Sequence, residues 1–123
     1  MDAALSNARY VNLTTFRKDG RAVGTPVWVT PMNGKLYVYT WGLAGKAKRI
    51  RATSKVRLAP SDIRGNVAGN WSEGTARIVA EPALAEAANR AIARKYGWQH
   101  HVVQLISWLQ RRHHNRIVIE ITA

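Results

Sequence analysis

The stretch GKAKRIRATSKVRL, Gly45 to Leu58, holds six Lys or Arg among fourteen residues and no acid. A run of this kind attracts anions: a phosphate, a carboxylate or a nucleic-acid backbone. On a helix beginning near Ala44, Lys46 and Arg49 lie three apart on one face, with Ala47 and Ile50 on another. The start of such a helix presents unpaired backbone N–H groups and the positive end of its dipole, so Lys46 beside Gly45 is placed to meet a phosphate. The segment before it ends YVYTW, which sets aromatic surface next to the anion site. A flat ring joined to a phosphate is what a flavin-like ligand presents. Solvated cations on an exposed helix, an anionic cofactor and a nucleic acid all fit these residues, and spacing leaves the three open.

Other chemistries find little support. GLAGKAK contains the Gly-Lys of a phosphate loop, but Thr40 stands where a Walker A motif needs Gly, and Ala47 where it needs Ser or Thr. The histidines form two adjacent pairs, His100–His101 and His113–His114, with no carboxylate nearby to complete a metal set. There is no cysteine, so disulfides and thiolate metal sites are excluded. The seven acids are Asp2, Asp19, Asp62, Glu73, Glu81, Glu86 and Glu120, and no two pair for acid–base work. An enzyme built from this chain needs a cofactor to carry the chemistry, the protein supplying a shaped and charged site.

The elements that position these residues are mostly strands. At 123 residues and 46% hydrophobic composition the chain is one domain, residues 1–123, with a single core. Nineteen basic against seven acidic residues give a net charge of +12. The opening MDAALSNARY lacks the basic start and apolar run of a signal peptide. No apolar stretch is long enough for a bilayer, so a soluble cytoplasmic domain without membrane contact is expected. A short helix is predicted over residues 3–8, then a strand in RYVNLTTF. KDGR reads as a tight I′ hairpin turn, and AVGTPVWVT as one strand whose Pro26 demands an edge. MNGK turns the chain into LYVYTW. After the basic helix come the strands KVRLAP and NWSEGTARIVA, a helix opened by Pro82 and stopped at Gly97, a second helix from Trp98, and the strand RIVIEIT. The predicted architecture is mainly β with attached helices (α+β): a six-stranded antiparallel barrel with two C-terminal helices.

The run from Ala8 to Val79, with ARKYGW and the closing RIVIEI, resembles in order and spacing the pyridoxamine-phosphate-oxidase-like superfamily of split β-barrels. It is most similar to small actinobacterial members that use the deazaflavin coenzyme F420. The resemblance implies a homodimer with cofactor sites at the subunit interface. It also implies an F420-dependent reductase that passes a hydride to an electrophilic small-molecule substrate, and a relative using FMN is the nearest alternative. Mapped onto this chain, Thr25, Pro26, Val27 and Trp28 lie along the ring, and Tyr39, Thr40 and Gly45 meet the ring edge and phosphate. Lys46, Lys48 and Arg49 then hold the phosphate side, with Arg57 on the same charged wall and Trp71 a candidate to reach the neighbouring subunit's site. Two departures stand out. The substrate-phosphate residues of true pyridoxamine-phosphate oxidases are not found after Gly97, so that reaction is not expected. Trp41 occupies a place where many relatives carry a small or polar residue, which narrows the ring pocket. A reading from another class makes Tyr37, Tyr39 and Trp41 a stacking platform for single-stranded nucleic acid beside Lys46 to Arg57. Pro26 and the C-terminal helices have no part in it, so nucleic acid is not the expected partner.

Overall fold

Two hairpins fix the strand register. The computed structural model describes residues 3–41, 45–97 and 116–122. Asn33 and Gly34 both have positive φ, 56° and 74°, the pair that a two-residue I′ turn requires. They join β3 (Val29–Met32) to β4 (Lys35–Trp41), with Met32 opposite Lys35. Between β1 (Tyr10–Phe16) and β2 (Ala22–Val27) the turn is looser than the predicted I′ form. Here Gly20 alone is left-handed (φ 89°), its N–H donating to Arg17 O, while Arg17 N–H donates to Arg21 O. Asp19 acts instead through its carboxylate, which accepts from the Arg21 N–H (3.1 Å) and Nε (2.7 Å).

The remaining elements are α1 (Ala3–Asn7), α2 (Gly45–Ala52), β5 (Lys55–Ser61), β6 (Ser72–Ile78), α3 (Pro82–Tyr96) and β7 (Arg116–Thr122). The strands form one antiparallel sheet of seven, in the order β2-β1-β5-β6-β7-β4-β3. The predicted class holds, with one strand more than the six expected. The segment read as a single strand leaves its ladder at Trp28: β2 pairs with β1, and β3 with β4. Since β2 and β3 are opposite edges of the sheet yet are separated by one residue, the sheet must curl until its edges meet. That curl makes the split barrel. Pro26 and Pro31 sit on these two edge strands, where a missing N–H breaks no inner ladder.

Alternation along the strands sends one side chain in and the next out. Val11, Leu13, Val27, Leu36, Val38, Val56, Leu58, Ile119 and Ile121 fill the inside of the curl, joined by Ile50 from α2. Outside, α3 lies over Tyr37, Val79 and Val118. Pro82 starts α3, and Gly97 (φ 59°) ends it with an N–H bond to Ala93 O. At this outer layer Glu120 is buried, 5% exposed, and accepts from Tyr37 Oη (2.9 Å), Arg77 Nε (2.9 Å) and Lys35 Nζ (3.3 Å). Among the described residues no helix is long and apolar enough to cross a membrane. The helix predicted from Trp98, and both histidine pairs, lie outside the described residues.

Candidate functional site

Helix α2 buries Ala47 and Ile50, and Ile50 reaches the barrel core. That anchoring leaves Lys48 exposed and Lys46 and Arg49 half-buried at the start of the helix. Arg49 is fixed from two sides. Its Nε donates to Thr15 Oγ1 (2.5 Å), a fully buried hydroxyl on the inner face of β1. Its guanidinium then folds over the first turn of α2, where a Cβ on Gly45 would come within 2.8 Å of Nη1. Glycine at 45 is thus what leaves room for the arginine fork.

A cavity of about 330 Å³ opens beside this turn, walled by Gly45, Lys48, Arg49 and Ala52 of the α2 side. Phe16, Arg17 and Lys18, from the end of β1 and the turn after it, form the other wall. Sequence alone does not single these three out, since Phe16 reads as the end of a strand and KDGR as a turn; two adjacent cations after an aromatic residue are the available signal. Lys46 does not line this cavity, although it lies within reach of the Arg49 charge. Burial, then the charge of Arg49, pushes its amine below the usual lysine range. Burial and then Arg17 likewise lower Arg49.

The other predicted site residues are dispersed. Thr25 and Val27 pair with Leu13 and Val11 and so point into the barrel; Thr25 Oγ1 is enclosed without a hydrogen-bond partner. Pro26 faces outward on the edge strand. Trp28, where the chain crosses between sheet edges, stacks on Tyr96 with ring centroids 4.4 Å apart and planes 8° from parallel. The Tyr96 hydroxyl accepts from Val29 N–H (3.0 Å) and donates to Arg9 O (2.8 Å), which pins this crossing to α3. Tyr39 packs against the outer cluster beneath α3, whereas Thr40 is buried on the inner face. Arg57 pairs with Thr14, whose neighbour Thr15 holds Arg49, so Arg57 emerges on the opposite face of the sheet. There its guanidinium lies 4.5 Å over the Trp71 ring. The structure therefore brings Gly45, Lys48 and Arg49 together with Lys46 adjoining, and separates Arg57 from them. Trp41 closes β4, its side chain outside the described residues.

The alternative reading, an aromatic platform for nucleic acid, is broken by burial beneath α3. Tyr37 is 1% exposed and bonded to Glu120 beneath α3, so it has no face free for a base. A second cavity, about 460 Å³, lies between α1, β3 and α3 beside Lys95. Its lysine is already spent on structure, donating to the carbonyls of Ser6, Ala8 and Val29 at 3.1, 2.8 and 2.7 Å. Among the described residues no three His, Asp or Glu side chains are grouped to hold a metal.

The family model described as pyridoxamine 5'-phosphate oxidase matches residues 1–123. No curated protein sequence matches the chain. Among solved structures, the conserved hypothetical protein Rv2991 from Mycobacterium tuberculosis superposes with a TM-score of 0.72 at 22% identity, over 100% of this chain and 81% of that one. An F420 reductase superposes with a TM-score of 0.62 at 18% identity, covering 98% and 92%. The haem storage protein HutZ from Vibrio cholerae gives 0.64 at 15% identity, covering 93% and 80%. At these identities the likeness establishes the shared fold.

Proposed function

From its membership of the pyridoxamine 5'-phosphate oxidase family, to which the chain belongs over residues 1–123, we propose that it is an oxidoreductase using coenzyme F420, with FMN the nearest alternative. The observation that carries this reading is the cavity at the start of α2. Four cations line it, a glycine there admits the Arg49 fork, and Phe16 offers an aromatic edge. A phosphate on a flat-ringed ligand fits that donor set, because guanidinium and ammonium groups bind phosphate oxygens through charge-assisted hydrogen bonds. Reduced deazaflavin, when bound, supplies a hydride to an electrophilic carbon of a small substrate.

The chain's own work is binding and orientation. Arg49, held by Thr15, presents its fork to the phosphate; Lys48 adds charge at the rim, and Lys46 adds its own beside Arg49. The segment Thr25–Trp28 runs along the ring side, where Pro26 and the edge-strand backbone face outward. Tyr39 and Thr40 shape the end of β4, and Arg57 with Trp71 serves the opposite face. No side chain is required as a nucleophile, in keeping with the sparse acids. We assign the working unit as a homodimer: the exposed large apolar residues among those described, Ile63, Val67 and Trp71, all lie between β5 and β6. Surface of that kind marks an interface.

Titration of the purified chain with F420, FMN and haemin tests the cofactor reading, the haem arm being included because of the haem-storage neighbour. Quenching of F420 fluorescence in the micromolar range is expected, weakened by roughly tenfold in Arg49→Ala. Haem binding with no affinity for F420 or FMN would overturn it. Trp71→Glu should turn a dimer into a monomer in sedimentation; a monomeric parent protein would remove the interface assignment.

A further inference from the structure

The cavity between α1, β3 and α3 has no part in the cofactor reading, which is built at the start of α2. Ser6 and Asn7 from α1, Thr30 from β3, and Arg94 and Lys95 from α3 give it a polar and cationic lining, and no acid lines it among the described residues. We propose that this cavity is a second ligand site, which takes a small oxyanion, a phosphate or a carboxylate. It is separate from the cavity at α2: α1 ends just before the start of β1, whereas Phe16, at the end of that strand, walls the α2 cavity. Seven extended residues, at about 3.3 Å each, put roughly 20 Å of strand between them.

Three observations meet at this cavity. The first is an unspent guanidinium. Arg90 is paired with Glu86 at 3.1 Å, but Arg94, one turn further along α3, has no ion-pair partner among the described residues. The second is a charge without a counter-ion. Lys95 gives its ammonium hydrogens to the carbonyls of Ser6, Ala8 and Val29, which are neutral acceptors. Burial, then the nearby Arg9, pushes this amine below the usual lysine range, and a bound anion favours its charged form again. The third is a hydroxyl. Thr30 pairs with Tyr37 and so lies on the face beneath α3; it is 3% exposed, and its side chain has no hydrogen-bond partner among the described residues. A ligand oxygen in the cavity is the acceptor it lacks. The C-terminal end of α3 opposes an anion with about half a negative charge. The two full positive charges of Arg94 and Lys95 outweigh it. That dipole accounts for basic residues in the last turn, but not for Thr30 meeting them around one space. A volume of about 460 Å³ is ample for such a ligand, since a water molecule's share of liquid is about 30 Å³.

Calorimetric titration with orthophosphate and with succinate tests the site. It is run on a chain carrying Lys48→Gln and Arg49→Gln, which removes two cations of the α2 cavity and with them its claim on the added anion. At least one of the two probes should bind at one equivalent, and whichever binds more tightly tells a phosphate site from a carboxylate site. Adding Arg94→Gln should weaken that binding by roughly tenfold, and adding Thr30→Val by about three- to tenfold. Arg90→Gln makes the same change of charge one turn away, at a residue that does not line the cavity, and should alter affinity by less than about twofold. Absence of binding by both probes, or affinity that survives Arg94→Gln, would overturn the proposal. So would an equal loss in Arg90→Gln, since a diffuse positive field would then explain the binding. Arg90 and Arg94 are exposed, so both variants keep the fold, and Thr30→Val preserves the shape of the side chain. Failure of the cofactor reading is a different result: F420 and FMN then fail to bind the parent chain, while every outcome here stands.

Discussion

Gly45→Ala isolates geometry from charge at the cavity. The Gly45 backbone is not among the left-handed glycines, so alanine meets no conformational penalty there. The added Cβ would lie 2.8 Å from Arg49 Nη1, whereas non-bonded heavy atoms settle at about 3.5–4.0 Å. The guanidinium must therefore retreat by about 0.7 Å or more. It is the far end of a flexible side chain, so the fold yields cheaply, and alanine gains up to about 1 kcal/mol over glycine within a helix. The displacement disturbs the bond to Thr15 and misdirects the fork. Losing about half of a charge-assisted hydrogen bond worth about 1.5–3 kcal/mol corresponds to roughly three- to tenfold weaker anion binding. Fluorescence titration with F420 or FMN should show that loss, with a melting temperature equal to or above the parent's. In a double-mutant cycle, Gly45→Ala added to Arg49→Ala should cost nothing further. Unchanged affinity in Gly45→Ala, or fully additive losses in the cycle, would refute the placement of Arg49 over this turn.

Four further substitutions probe the frame and the site. Glu120 is held at about 2, below the usual carboxylate value, by Arg77 above all and then by Tyr37 and Lys35, against burial. Its stabilisation is therefore present above the unfolded value near pH 4.3 and is lost as pH falls through about 2. Allowing for the half-exposed Arg77, Glu120→Gln should cost about 2 kcal/mol at neutral pH, roughly 6 °C in melting temperature, with the gap closing in acid; a pH-independent gap would contradict this. Tyr96→Phe leaves the Val29 N–H without its acceptor and should cost about 1–3 kcal/mol by denaturant titration. Lys46→Met should raise the melting temperature of the ligand-free chain while weakening phosphate-ligand binding. The charged amine costs stability below its lowered value, and that cost fades as pH rises through it. Thr25→Val removes an enclosed hydroxyl with no partner and should raise stability without changing ligand affinity in the same titrations.

What could be read from sequence was whatever local chemistry decides. Pro26 placed its strand at an edge, Pro82 and Gly97 bounded α3, and the spacing of Ala47 and Ile50 oriented α2. What could not be read was decided by closure. Trp28 continues the alternation of its strand, and only the meeting of two sheet edges makes it leave the ladder and stack on a residue sixty-eight positions later. Tyr37 and Tyr39 share a face by simple alternation, but the pattern does not say whether that face meets solvent or α3. The partner that settles it for Tyr37, Glu120, lies eighty-three residues away. Lys18 reads as a turn residue and Arg17 as its flank, because nothing local places the first hairpin opposite the start of α2.

The dispersal of the predicted site has a consequence for how a ring could be held. Thr25 and Val27 face the barrel interior, so no ligand outside the barrel meets those side chains. Yet β2 pairs only with β1 among the described strands, which leaves the backbone groups of its outer edge without a ladder partner. An edge of this kind recognises ligands through main-chain N–H and C=O groups, at positions where side-chain identity matters little. The ring side of the proposed site is then specified by the backbone and the phosphate side by charge. On that division of labour, substitutions along β2 report on stability, and substitutions around Gly45 report on binding.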